Sequence, residues 1–424
     1  MDTLFRCIKE GTAPDRVVRF ASAYLEEAGF ELLRYEHSFG LEAGGKYYVT
    51  PFPDLLFAFT LGTDGTRPGN VRMGFAHVDQ PGFRIKGQPA MADMGCAKLN
   101  VEVYGGMMDH TWFDRPLGMA GQIALRGEDV FHPTIISYDS EAPVAIIPGL
   151  AIHMNRDALK GWQIDRQKEL LPVTGLAGGN WTRDYFLQYL GKKLNVDAGE
   201  ILNWDLTLYN YDQPQKVGFD QELVSAPRID NLASVSALLT ALTEGEREDG
   251  INLIGLFNHE EVGSMSRSGA RSGILSNLLK EIFTAAGSGQ EAFRSAMADS
   301  MFLSVDGAHA AHPNYPDKCD PTVRAYMGKG VAIKSSSVCK YASDCRMHAI
   351  VNSLADKYEV EVQTIADRNT IRGGSTIGPM IGAGMALTGC DIGLPMWAMH
   401  SARETMAVTD YQALCQLLTA YYIE

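Results

Sequence analysis

Apolar and polar positions divide the chain into three textures. Near the N-terminus, Val17, Phe20, Ala21, Tyr24, Leu25 and Ala28 recur at helical spacing, which predicts an amphipathic helix. Thr12 is its expected cap, Pro14 opens the first turn, Asp15 stands three residues after the cap, and Gly29 ends it. Three apolar runs follow and read as strands: KYYVT (46–50), LLFAFTL (55–61) and VRMGFA (71–76), the last stopping at HVDQPGF. Between about 88 and 222 the runs are short and β-type: LNVEVYGG, GQIALRG, PTIISYD and ILNWDLTLYNY. Two segments there, GLAGGN (175–180) and NYDQPQK (210–216), read as loops. From about 223 helix and strand alternate. Leu232, Val235, Leu238, Leu239 and Leu242 mark a helix, INLIGLF (251–257) a strand, 270–297 a helical stretch, MFLSV (301–305) a strand, and Asp410 to Tyr422 a last helix. This pattern predicts an α/β domain, residues 1–87 and 223–424, interrupted by a β-rich domain at 88–222. There is no internal repeat and no low-complexity segment.

The stretch INLIGLFNHEEVGSMS (251–266) poses a problem of chemistry. A run that reads as a buried strand ends in two adjacent carboxylates, Glu260 and Glu261, which repel each other. Two other strands end in similar groups. VRMGFA leads to His77 and Asp79, and MFLSV leads to Asp306. Sites in open α/β sheets form at the carboxyl ends of strands. Asp230, in SAPRIDNLAS just before a helix, and His400, in DIGLPMWAMHSARE, belong with the same edge.

Each residue has an ordinary explanation by itself. An HxD is common, a Glu-Glu pair is usually a solvated helix start, Asp230 would be an N-cap, Asp306 a turn residue, and the histidines of AHAAHP core residues. Together they suit dinuclear metal hydrolysis, where two divalent ions take about three protein ligands each and share a bridging carboxylate. His77, Asp230, Glu261, Asp306 and His400 meet that count if Asp230 bridges. The ions would also remove the repulsion, with Glu261 ligating a metal and Glu260 left to accept a proton from the bridging water. Asp79 would hold the His77 ring in its metal-binding tautomer.

Composition narrows the partners. Hydrophobic residues make up 46% and charged residues 21% of 424, enough for a substantial core. A formal net charge of −14 argues against nucleic acid or an anionic membrane. No apolar run approaches the ~18 residues of a membrane span, and MDTLFRCIKEGTAPDR lacks the basic and apolar segments of a signal peptide. The seven cysteines (7, 96, 319, 339, 345, 390, 415) form no C-x-x-C pair. They are expected to be reduced, mostly buried thiols of a cytoplasmic protein.

AHVDQPGFRIK, LNVEVYGGMMDHTWFDRPLGMAG, APRIDNLAS, NHEEVGS, SVDGAHAAHPNYPDKCDPT, GGSTIG and DIGLPMWAMHSARE together resemble the aspartyl aminopeptidase family, the dinuclear-metal aminopeptidases that include the yeast vacuolar aminopeptidase. The motifs run from 77 to 404 in the family's order. The resemblance implies a mixed-sheet α/β metallo-aminopeptidase domain with an inserted β-rich dimerisation domain, and release of the N-terminal residue from peptides. By motif position His77 and Asp306 would hold one metal, Glu261 and His400 the other, with Asp230 bridging and Glu260 as general base. Zinc is the expected metal, with cobalt or manganese as alternatives. His153, a structural histidine by itself, falls where the family has a histidine that reaches a neighbouring subunit's active site. The family assembles as a tetrahedral dodecamer built from dimers, whose enclosed sites admit small peptides.

Two positions depart from the pattern. Asn258 and His259 stand where the family commonly has Asp-Asn, and Gln80 follows His-x-Asp where it commonly has Ser. There is also no long N-terminal propeptide, so vacuolar delivery of the yeast type is not expected. An acidic first residue needs a cation in its pocket. Lys334, in GVAIKSSS, is the candidate, against the plainer reading of a surface lysine ending a strand. His309 and His312 would line the site or a subunit contact. GGSTIG would form a backbone loop against the substrate or only a tight turn. Two rival readings are a dinuclear deacylase of N-acyl amino acids and a non-catalytic oligomeric scaffold.

Overall fold

A computed structural model describes every residue except 65–68, 157–159, 179–180 and 372; the end of the expected 175–180 loop therefore lies outside the described residues. The chain divides into two compact units. The first comprises residues 1–79, 214–399 and 404–424, the second residues 80–213 and 400–403. The boundaries fall earlier than the expected 88 and 222. Gly82–Asp93 is already a strand of the second unit's sheet, and Gln215–Val217 pairs with Leu223–Ala226 in the first.

In the first unit a mixed sheet has four parallel strands at its centre, in the order Ile251–Phe257, Val71–His77, Met301–His309 and Thr388–Trp397. These strands are almost wholly buried because both sheet faces are covered, which is why they read as unbroken apolar runs. Val71, Met73 and Phe75 point into one core, shared with Leu278, Leu279 and Ile282 of the helix Ile274–Ala285. Ala76, Ile254 and Leu303 point into the other, shared with the helices Ile229–Glu244 and Val408–Ile423. Ile229–Glu244 is apolar on nearly every side and buried, as a central helix must be. It approaches the sheet closely at Gly74, where a Cβ would lie 2.4 Å from both Leu238 Cδ2 and Tyr422 Oη.

The second unit is a closed barrel. Its strands follow the order Ile201–Asn210, Gly82–Asp93, Cys96–Tyr104, Val173–Leu176, Ala145–Ile146 and Pro116–Leu125, and Ile201–Asn210 pairs back onto Pro116–Leu125. Thr134–Asp139 adds to the outside of this ring. Phe83, Trp112, Leu117, Met119, Leu206 and Leu208 fill the core.

Local differences have local causes. A helix, Asp2–Glu10, precedes the expected one, its buried face being only Leu4, Cys7 and Ile8. The expected helix is Pro14–Glu27, but Ala13 occupies the cap position and Thr12 is buried instead of capping. The stretch 270–297 is two helices, Ile274–Ala285 and Gln290–Ala298, parted around Gly287, which has φ +70°. All seven cysteines are free thiols, but only Cys7 and Cys390 are buried; Cys339 and Cys345 are exposed. Among the described residues no helix is long and apolar enough to cross a membrane.

Candidate metal centre

His77 is the last residue of its strand, and its neighbours in register end at the same edge. Its Nε2 lies 3.2 Å from Asp230 Oδ1 and 3.4 Å from Asp306 Oδ1. Potential ligand atoms of His77, Asp230 and Asp306 fall within 4.8 Å of one another, as do those of His77, Glu260 and Glu261. The first unit thus gathers His77, Asp230, Glu260, Glu261 and Asp306 at one place. One imidazole among oxygen donors is a set that suits zinc, cobalt or manganese, and the residues fit a divalent ion.

Asp230 reaches the edge because its helix begins irregularly. Asp230 and Asn231 have non-helical backbone angles, and regular helix starts only after them. Two bonds hold this bend. Asp230 N–H donates to Glu404 Oε2 (2.9 Å), and Asn231 Nδ2 donates to the Val305 carbonyl (2.9 Å). Glu404, in SARE, is buried, and no local pattern in the sequence marks its part. The Glu pair is placed by a second bend. His259 sits in the left-handed region at φ +63°, Glu260–Val262 forms a 3-10 turn, and Gly263 closes it at φ +95°.

Asp79 acts through both its main chain and its side chain. His77 Nδ1 bonds the backbone carbonyl of Asp79 at 2.9 Å, so the main chain orients the ring. The Asp79 carboxylate, 3.5 Å from that nitrogen, also accepts from the backbone N–H of Glu260 (3.0 Å) and Glu261 (3.1 Å). It therefore anchors the turn that carries both glutamates. Asn258 has a comparable role beneath. Its Nδ2 donates to Asp54 Oδ2 (2.6 Å) and its Oδ1 accepts the His259 N–H (2.7 Å), while Ser268 Oγ donates to the other Asp54 oxygen (2.7 Å).

The electrostatics follow from crowding acids in a buried place. Burial pushes Glu260 up to about 8; Asp306, Asp79 and Asp230 add to this and His77 opposes it. Burial pulls the His77 imidazole down, but hydrogen bonds to Asp230, Asp306 and Asp79 outweigh it, and the ring is held well above its ordinary value. Lys334 is buried, not a surface residue, and its Nζ lies 3.7 Å from Asp306 Oδ2 and 5.5 Å from the ring centre of Tyr341. Burial lowers Lys334 too, and Asp306, Tyr341, Asp391 and Asp230 together raise it by more.

Three more expected residues remain: His309, His153 and His400. His309 is exposed at the end of its strand. His153 is exposed in the second unit. His400 follows the strand Thr388–Trp397 by three residues, in the left-handed region at φ +64°, and its Nδ1 bonds the Gly106 carbonyl at 2.8 Å. It is counted with the second unit, although its neighbours Met399 and Glu404 belong to the first.

A sheet with a parallel centre that delivers one histidine and four carboxylates to its carboxyl edge is the framework of a metal-dependent hydrolase. Residues 7–422 match the family profile described as aminopeptidase I zinc metalloprotease (M18). A probable M18 family aminopeptidase 2 of Clostridium novyi (strain NT) is 38% identical over 400 residues, covering 94% of this chain and 92% of that protein. A chain in the cryo-EM structure of the Ape4 and Nbr1 complex superposes with a TM-score of 0.93 at 27% identity, over 99% of this chain and 84% of that one. The S. cerevisiae mApe1 dodecamer has the same fold, with a TM-score of 0.84 at 22% identity, over 99% and 95%. The chain belongs to the M18 family and is a metal-dependent aminopeptidase.

Proposed function

We propose that the enzyme is a dinuclear aminopeptidase that removes an N-terminal residue, acidic by preference, from small peptides. His77 and Asp306 would hold one ion and Glu261 and His400 the other, with Asp230 available to both; zinc would suit the donors. The observation that carries this reading is the gathering of His77, Asp230 and Asp306 ligand atoms within 4.8 Å. When bound, the ions supply Lewis acidity at the scissile carbonyl and acidify the attacking water.

The chain does the rest. The Glu260 carboxylate takes the proton from that water and returns it to the leaving amine. Its raised affinity for a proton suits this, and bound cations would draw it back toward neutrality. The Asp79 carboxylate keeps Glu260 aimed by holding the backbone of its turn. The positive α-amine of the substrate pairs with the acidic cluster, and Lys334 pairs with an acidic first side chain. His153 reaches a neighbouring subunit's site in an assembly built from barrel-domain dimers. A dodecamer like that named for the mApe1 structure would fit such a role. Free thiols throughout support a cytoplasmic setting.

The test is hydrolysis of Asp, Glu, Leu and Met substrates with free and acetylated amines, with chelator and with zinc, cobalt or manganese restored. Chelator-sensitive cleavage of the free-amine substrates alone is expected. Cleavage of acetylated substrates would favour a deacylase. Glu260→Gln should lower kcat by about 10²–10⁴-fold, the usual contribution of a general base, while metal content stays at the wild-type level. A variant with full turnover would remove Glu260 from the mechanism.

A further inference from the structure

We infer that a cavity beside Trp397 is a distal subsite for the C-terminal part of the peptide, a reading that rests on the aminopeptidase reaction proposed above. The cavity measures about 560 Å³, within the range of small-ligand sites. Its position points to the substrate. Phe302 packs in one core of the first unit, and Leu303 and Val305 in the other. Asp306 therefore faces the side of Phe302. In the neighbouring strand Cys390, Ile392, Leu394 and Met396 enter the opposite core, so Trp397 shares the face of Asp306. Leu223 and Ala407, which also line the cavity, are on that face too, because Val224 and Met406 point the other way.

Register sets the distance. Asp306 lies opposite Gly393, and Trp397 is four residues further along the strand, or about 13 Å at ~3.3 Å per residue. An extended peptide has the same rise. With its first residue at the metal cluster, it brings a residue about four positions past the scissile bond to Trp397.

The walls are already built. Trp397 Nε1 donates to the Ala311 carbonyl (2.9 Å), and the His312 ring lies 6.2 Å from that of Trp397 and 5.0 Å from that of Tyr315. Gln363 holds both the N–H and the C=O of Tyr326, each at 2.8 Å. Gly328 N–H donates to Asp410 (2.7 Å). A pocket ordered before binding gives up little entropy on filling. Aromatic surface from Trp397, His312 and Tyr326 suits an apolar or aromatic tail residue. Arg324, which lines the cavity, suits the peptide's terminal carboxylate.

The experiment uses the full-chain enzyme, metal-restored and in its own assembly. Peptides of two to six residues share their first two residues and end in Phe, with the terminus free or amidated. kcat/KM should rise about tenfold between three and five residues, and amidation of the five-residue peptide should remove about three- to fivefold, the worth of one partly exposed charged contact. Arg324→Gln should abolish the difference between acid and amide. Tyr326→Ala, which leaves the Gln363 backbone bonds available, should lower the ratio of long- to short-peptide rates. A rate independent of length, or insensitive to amidation, overturns the inference while leaving the aminopeptidase intact. No cleavage of any free-amine peptide overturns both. A flat length profile with a Tyr326→Ala change in assembly size assigns the cavity to contacts between copies and overturns the subsite.

Discussion

Asp79→Asn separates two ways in which this carboxylate could serve the reaction. If it acted only on the His77 ring, the loss would fall on metal affinity, by about 10–100-fold. The geometry gives it another task. Its two oxygens accept from the N–H groups of Glu260 and Glu261 at 3.0 and 3.1 Å, and it is buried. Asparagine keeps one acceptor and turns an NH2 toward the other N–H. One charge-assisted bond is then lost, at about 1.5–3 kcal/mol, and a part-buried donor faces another donor. If about 2 kcal/mol of this is felt in the aim of Glu260 at the transition state, kcat falls ~30-fold. The assay is steady-state turnover on a free-amine substrate across a metal titration, so that kcat is read with the site saturated. Urea unfolding of the same samples separates misplacement from global loss of fold. A kcat within about twofold of wild type at saturating metal would refute the reasoning, since a twofold change corresponds to well under 1 kcal/mol.

Lys334→Met removes the buried cation at similar length. The Asp-to-Leu ratio of kcat/KM should fall by about 10–100-fold, the worth of one charged hydrogen bond, as read with paired substrates; an unchanged ratio would take Lys334 out of the pocket. Asn258→Asp, the residue common in the family, would set two carboxylates at the 2.6 Å Asn258–Asp54 distance. It should cost about 1–3 kcal/mol in urea unfolding at neutral pH, the price of an unsatisfied buried polar contact. Asp410 supplies a pH dependence. Burial pushes it up to about 6 although backbone N–H groups of Gly328 and Gly330 pull it down. Its folded value thus exceeds its unfolded one, so its contribution to stability is full below pH ~4 and is lost as pH rises through about 6. Unfolding of wild type at pH 5 and 7 should show about 1 kcal/mol more stability at pH 5, relative to Asp410→Asn; parallel behaviour of the two would refute the assignment.

Some of the site was legible because local pattern carried it. A strand buried on both faces announces itself as an apolar run, and the polar group that ends it must lie at the sheet edge. His77, the Glu260–Glu261 pair and Asp306 are legible in the sequence for that reason. Asp230 was legible as a pre-helical acid, but not the bend that turns it toward His77, because the bend depends on Glu404 far along the chain and on the Val305 carbonyl next door.

Sequence by itself determined the order of elements, the two textures that become the sheet and the barrel, and the residue types gathered at the metal centre. These rest on short-range physics, namely periodicity, burial of apolar runs and the ligand chemistry of imidazole and carboxylate. Tertiary structure alone decided which groups pair. It gave the His77 ring to a backbone carbonyl and the Asp79 carboxylate to the glutamate turn, buried Lys334 beside Asp306, and closed the barrel by pairing Ile201–Asn210 with Pro116–Leu125. Each of these joins atoms separated by register, strand order or a long stretch of chain. A hydrogen bond acts over about 3 Å, and only the folded arrangement brings such partners that close.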